Sequence, residues 1–160
     1  MWYTNTQDRI SEWRSFRKTL DKRSLHDCVH AVNNFWWQAP ISNKIYCQDI
    51  VDNWPDPWQL ITENLYDDIA RGLGMLYTIG LSRHYNNNLD FRCYRDRETS
   101  SEHNLVWIDS GKYILNYDLE LRVNNTLEAK CSQNTLVSKY TLEDLLGKTT
   151  HEHSDTSTKA

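Results

Sequence analysis

The chain has 160 residues, 25% of them charged, and a formal net charge of −4; this length predicts one domain able to bury about two-thirds of the surface its unfolded chain exposes. Its 18 Lys and Arg residues are scattered rather than gathered on one face, which argues against a nucleic-acid partner. No apolar run approaches the ~20 residues of a membrane span, and the first eight residues lack the basic start and apolar core of a signal peptide, so the expected setting is a reducing cytoplasm or a particle assembled there.

In chain order, Ile10, Trp13, Phe16 and Leu20 recur at helical spacing among charged residues, predicting an amphipathic helix over 8–20 with Thr6 or Asp8 as its cap. A second helix is predicted over 24–38, capped by Ser24, with Leu25, Cys28, Val29, Val32, Phe35 and Trp36 inward and Pro40 ending it. Residues 1–40 thus form an N-terminal helical section. Adjacent Trp36 and Trp37 cannot share one helix face, which makes Trp37 a candidate contact residue. His26 and His30 lie four apart on this helix. With no third ligand beside them they read as a polar flank, and no metal or other cofactor is expected. Cys28, Cys47, Cys93 and Cys131 are far apart with no CxxC spacing, which points neither to a metal cluster nor to a disulfide framework.

Residues 41–53 read as a connecting loop, with a short strand at 44–47 as an option. Trp54-Pro55-Asp56-Pro57-Trp58 follows, in which Asp56 is a cap and Pro57 stands at the first position of a short helix over 57–62. Trp54 and Trp58 are each either core residues or binding residues. Glu63-Asn64-Leu65 is a turn or more helix. From Tyr66 to Ser82, Ile69, Leu73, Leu76, Tyr77 and Leu81 keep helical spacing. Gly72, Gly74 and Gly80 each cost about 1 kcal/mol against alanine in a helix. Together they predict close packing against another backbone, with Gly74 as an alternative helix end.

Beyond a turn at 84–89, Leu89, Phe91 and Cys93 alternate with polar residues and predict a strand over 89–96. A charged loop over 95–102 leads to a strand over 102–109, a two-residue turn at Ser110-Gly111, and a strand over 112–118. Further strands are predicted over 119–123 and 131–137, and a short helix over 141–146 capped by Thr141. Residues 1–147 are expected to form one α+β domain. Residues 148–160 are polar and predict a flexible C-terminal tail, its His151 and His153 solvated.

With Ser110-Gly111 at the turn, Trp107 faces Ile114, Leu105 faces Asn116 and His103 faces Asp118. That register puts His103, Asn116 and Asp118 on one face of the hairpin, the arrangement of a base and its orienter. Here the order of elements resembles the transglutaminase-like members of the papain-like cysteine enzymes. Asn64-Leu65-Tyr66-Asp67-Asp68-Ile69-Ala70 is similar to the start of the family's catalytic helix. His103-Asn104-Leu105-Val106-Trp107-Ile108 is similar to its histidine strand, and Gly111-Lys112-Tyr113-Ile114-Leu115-Asn116 to its orienter strand. The resemblance spans residues 54–118 and implies a transglutaminase-like core with His103, Asn116 and Asp118 as its constellation. It departs from the family at the nucleophile, because the cysteine position falls on Tyr66. A phenol has an ordinary pKa near 10 and carries its oxygen too far from the backbone to replace a thiolate at a helix start.

The richness in Asn, Asp, Tyr and Trp, with the Trp54–Trp58 helix entry, is similar to small transglutaminase-like proteins of tailed bacteriophages. This implies N-terminal helices packed against a small antiparallel sheet, with the fold retained for binding other proteins, among them virion components, in the particle or in the host cytoplasm. Two rival readings are an active amidase, peptidase or acyl transferase that draws on a thiol such as Cys47, and a small cytoplasmic regulator of a host protein.

Overall fold

The computed structural model describes residues 1–84, 88–117 and 134–147. Among the described residues, five helices and one four-stranded antiparallel sheet make an α+β fold. The helices α1 (Thr6–Leu20), α2 (Leu25–Trp37), α3 (Pro57–Glu63) and α4 (Asp68–Gly80) come first. The strands β1 (Leu89–Arg95), β2 (Glu102–Ile108), β3 (Tyr113–Leu115) and β4 (Thr135–Thr141) follow, and α5 (Leu142–Leu146) comes after them. Sheet order is β3-β2-β1-β4.

Local chemistry sets the helix ends. Asn5 caps α1 by accepting the Asp8 N–H, so the helix starts two residues ahead of the predicted 8–20 span, with neither Thr6 nor Asp8 as its cap. Ser24 caps α2 as expected. Asp56 and Gln59 form a reciprocal capping box on α3, with Pro57 at its first position. Asn64 turns left-handed (φ 55°, ψ 37°) and ends α3, so Glu63 is still helix, Asn64 and Leu65 leave it, and the next helix begins afresh at Asp68 under an Asp67 cap. The optional strand at 44–47 does not form, because the Ile45 and Tyr46 N–H groups are taken by the Asp67 carboxylate. The loop keeps one isolated bridge, from Ile41 to Tyr66.

The hairpin register is the expected one, with Val106 opposite Leu115, Trp107 opposite Ile114 and Ile108 opposite Tyr113. Its two turn residues both take positive φ, Ser110 at 56° and Gly111 at 91°, and the Lys112 N–H closes the turn onto the Asp109 carbonyl. The third strand is shorter than the predicted 112–118, because Asn116 has φ 68° and breaks the pleat. The predicted segments at 119–123 and 148–160, and the start of the one at 131–137, lie outside the described residues.

α4 is the centre of the molecule. Every residue from Ile69 to Ile79 is buried, with α2 packed on one side and β1 and β2 on the other. Gly74 lies in its interior, where a side chain would overlap the Trp36 ring. Gly72 lets the helix approach Phe91 on β1 and the amide of Asn116. The predicted close packing is present, though its partners are side chains as well as backbone.

Candidate functional site

Three segments converge where α4 begins. Asp67 is 4% exposed. One of its oxygens accepts the Ala70 N–H at 2.9 Å, and the other accepts those of Ile45 and Tyr46 at 2.9 and 2.7 Å. This carboxylate is spent on pinning the 41–46 loop to the helix start. The next residue, Asp68, turns its carboxylate to the sheet. Its Oδ2 accepts from the Asn104 amide on β2 at 2.8 Å, and its Oδ1 accepts from Arg71 Nη2 at 2.9 Å. Asn116, just past β3, donates to the Asn104 carbonyl at 2.7 Å and the Asp68 carbonyl at 3.0 Å, and accepts from Arg71 Nε at 2.7 Å. Gln48 donates to the Asn104 side-chain oxygen at 2.8 Å and closes the network from behind.

Burial sets the electrostatics here. Arg71 is 8% exposed, with its guanidinium 3.7 Å from the centre of the Trp37 ring. Desolvation lowers its pKa from the ordinary value, against the pull of Asp68. Desolvation raises the Asp68 carboxyl, and the Asn104 hydrogen bond and the Arg71 charge offset only part of that. A cleft of about 270 Å³ opens beside Asp68, walled by Ile41, Ser42 and Lys44 of the loop, Ile69 of α4, and Glu102 and Asn104 of β2. Lys44 pairs with Glu102 at 2.7 Å and ties the loop to β2, an exposed ion pair that contributes little to stability.

The residues singled out from sequence do not gather here. Tyr66 is fully buried among the Trp2 and Trp36 rings, without a hydrogen-bond partner for its hydroxyl among the described residues, and burial pushes its phenol pKa well above the usual value. The alternation of β2 sends His103 to the face opposite Asn104, where its ring stacks on Tyr117 at 5.8 Å. Asn116 was expected beside His103. Its left-handed backbone swings it to the α4 side instead, so the two side chains lie on opposite faces of the sheet. Asp118 lies outside the described residues. The base-and-orienter face inferred from register is therefore corrected: helix start, β2 and the end of β3 do meet, but through Asp68, Asn104 and Asn116. Neither amide can accept a proton at neutral pH, so the one proton-accepting group of this trio is the Asp68 carboxylate, with His103 on the other face of the sheet.

Of the thiols, Cys93 on β1 lies directly opposite Asn104, and Cys47 sits in the loop between Tyr46 and Gln48. Cys28 and Cys93 are fully buried, and burial pushes both up to about 11. Cys47 is exposed in the loop before α3. Of the three candidate binding tryptophans, Trp54 is a core residue, 4% exposed, donating to the Cys47 carbonyl and packed edge-on against Phe91 and Tyr140. Trp37 is half-buried under Arg71. Trp58 is 50% exposed.

No protein-family model matches the chain, and no curated protein matches it in sequence. Solved structures do match. Calcium-bound LapG of Legionella pneumophila, a transglutaminase-like protein, superposes with a TM-score of 0.69 at 14% identity over 88% of this chain and 78% of its own. A second LapG structure gives 0.68 at 14% identity over 86% and 76%, and the EGTA-treated form 0.68 at 14% over 86% and 75%. The fold is transglutaminase-like. The core expected from the order of elements is therefore present. Calcium belongs to LapG in that comparison. Here, among the described residues, no three His, Cys, Asp or Glu side chains converge as a metal group, and His26 and His30 meet ring to ring at 4.4 Å without a third.

Gln48, Asp68, Arg71 and Asn104 were missed as site residues. One signal pointed to Asn104: it shares the inward face of β2 with Val106 and Ile108, and a polar residue in an apolar set has to find partners inside.

Proposed function

We propose that this chain uses a transglutaminase-like scaffold for binding a protein partner and carries no acyl-transfer activity. The observation that supports it most is that helix start, β2 and the end of β3 meet through Asp68, Asn104 and Asn116 while His103 lies on the opposite face of the sheet. The fold itself also hosts active cysteine enzymes, so the reading rests on these residues and on the buried state of Cys28 and Cys93. A thiolate nucleophile needs a helix start, a cationic neighbour or a general base to lower its pKa. Burial does the reverse to both of these thiols. The setting we propose, a tailed-phage particle or its assembly in the host cytoplasm, follows from the sequence resemblance.

Thiol labelling of the native chain with iodoacetamide, read site by site by mass spectrometry, tests the reading. Cys47 is expected to react at the rate of an ordinary free thiol, unchanged in His103→Ala, while Cys28 and Cys93 stay protected until the chain unfolds. A fast-reacting cysteine that slows in His103→Ala would overturn the proposal and restore the active-enzyme reading.

A further inference from the structure

Trp13 is fully buried, yet two of the side chains that cover it are themselves open to solvent on their outer sides. The Arg17 guanidinium lies 4.3 Å from its ring centre, and the Trp58 indole meets it edge-on at 6.0 Å. Trp58 is 50% exposed and Leu81 is 37% exposed. Leu81 joins the same surface, since its carbonyl lies 3.5 Å from Arg17 Nη1, at the long limit of a hydrogen bond. Arg17 is a half-buried cation: among the described residues no ion pair reaches it, and its Nε is buried without a hydrogen-bond partner. Arg14, exposed one turn earlier on α1, adds a second positive charge. Burial, then Arg14, hold the Arg17 pKa below its ordinary value, and Asp21 offsets this only in part. Asp56, at the head of α3, is spent on the Trp58 and Gln59 N–H groups.

We propose that Trp58, Leu81, Arg17 and Arg14 form a docking surface for an acidic segment of a protein partner. A partner carboxylate pairs with the Arg17 guanidinium, and a neighbouring apolar side chain packs on Trp58 and Leu81. The partner is acidic because neither Arg14 nor Arg17 forms an ion pair among the described residues, and at Arg17 the Arg14 charge outweighs that of Asp21. It is a protein because two cations on a chain of net charge −4 make too small a positive field for a phosphate backbone, while exposed Trp beside Arg is the composition of an interface centre. This deepens the protein-binding reading by naming a partner's chemistry. It stands apart from the α4 cleft, so the thiol experiment can fail without touching it.

Fluorescence polarisation of the full chain tests it with three fluorescein-labelled probes: a peptide alternating Glu with Leu and Phe, its counterpart with Lys for Glu, and an oligothymidylate. The acidic peptide is expected to bind, the Lys peptide and the oligonucleotide not, and salt to weaken the binding. Trp58→Ala and Arg17→Met should each weaken it about tenfold, with Trp58→Phe close to the parent. Arg14→Glu changes only an exposed helix position, so it reads the charge requirement in a chain whose core is untouched, and it should also weaken binding. Failure of the acidic peptide to bind, equal binding of the Lys peptide, preference for the oligonucleotide, or indifference to Arg14→Glu each overturns the proposal.

Discussion

Trp13 and Trp36 donate their indole N–H groups to a single acceptor, the Thr78 hydroxyl, each at 2.9 Å. That hydroxyl gives its own hydrogen to the Gly74 carbonyl at 2.6 Å, so its donor and both lone pairs are in use. α1, α2 and α4 are fastened to one another at this oxygen. Thr78→Val keeps the shape and leaves two buried indole N–H groups unpaired. At about 1–3 kcal/mol for each, the expected loss is about 2–6 kcal/mol, and the thermal midpoint should fall by roughly 2–4 °C per kcal/mol. Thr78→Ser keeps the hydroxyl and should lose only about 1 kcal/mol for the methyl group. A Thr78→Val variant that unfolds at the same temperature as the parent would show that the hydroxyl fastens nothing.

Gly74→Ala sets helix propensity against packing. Alanine is the better helix former by about 1 kcal/mol, but its Cβ would overlap the Trp36 ring. Overpacking in a filled core costs about 1–3 kcal/mol, so a net loss of up to about 2 kcal/mol is expected in urea unfolding. Gly147→Ala is the control. Its backbone is right-handed (φ −68°, ψ −17°) and no atom lies within 4 Å of the added carbon. That variant should be neutral or gain up to about 1 kcal/mol. The same substitution is thus predicted to act in opposite directions at the two ends of this comparison.

The elements themselves were legible because their signals are local. Ser24, Asp56-Pro57, Ser110-Gly111 and Thr141 each mark a boundary through chemistry confined to one turn. Hairpin register followed from the turn and held along the strands. The site was misplaced for two reasons that spacing does not show. A single left-handed residue, Asn116, carries its side chain through the plane of the sheet. The helix start also fell two residues after Tyr66, so a residue read as facing a cleft faces the core between Trp2 and Trp36. Both are decided by backbone dihedrals set in tertiary context. The exposure of Trp58 beside buried Trp54 was equally hidden, since both flank the same Pro-Asp-Pro segment and have the same sequence signature.

Asn116 carries two separable loads. Its φ of 68° costs an ordinary residue about 1 kcal/mol, less for Asn and nothing for Gly. Its amide supplies the acceptor for Arg71 Nε and donates to two carbonyls. Asn116→Gly removes only the amide, and Asn116→Ala adds the backbone cost. Both should lose at least about 2 kcal/mol for the buried guanidinium left short of an acceptor, with Ala about 1 kcal/mol below Gly. If Asn116→Gly unfolds at the same urea concentration as the parent, the amide network holds nothing together.

Asp68 gives the fold a titration that runs against the usual acid loss. Burial raises its pKa above the unfolded value, so between the two the folded chain holds a proton that the unfolded chain has released. The stability this group contributes is therefore full below the ordinary carboxylate range and is lost as pH rises through the folded pKa. Asp96 and Asp144, whose carboxyls are held low by backbone hydrogen bonds from Glu98 and Thr99 and from Thr141, run the other way, but they are common to any pair of variants and cancel in a difference. Asp68→Asn removes the titration. The stability of the parent minus that of Asp68→Asn, from urea unfolding, should be larger at about pH 4 than at about pH 7. A difference that instead grows with pH would mean that Arg71 and the Asn104 amide hold Asp68 ionised more strongly than burial opposes it.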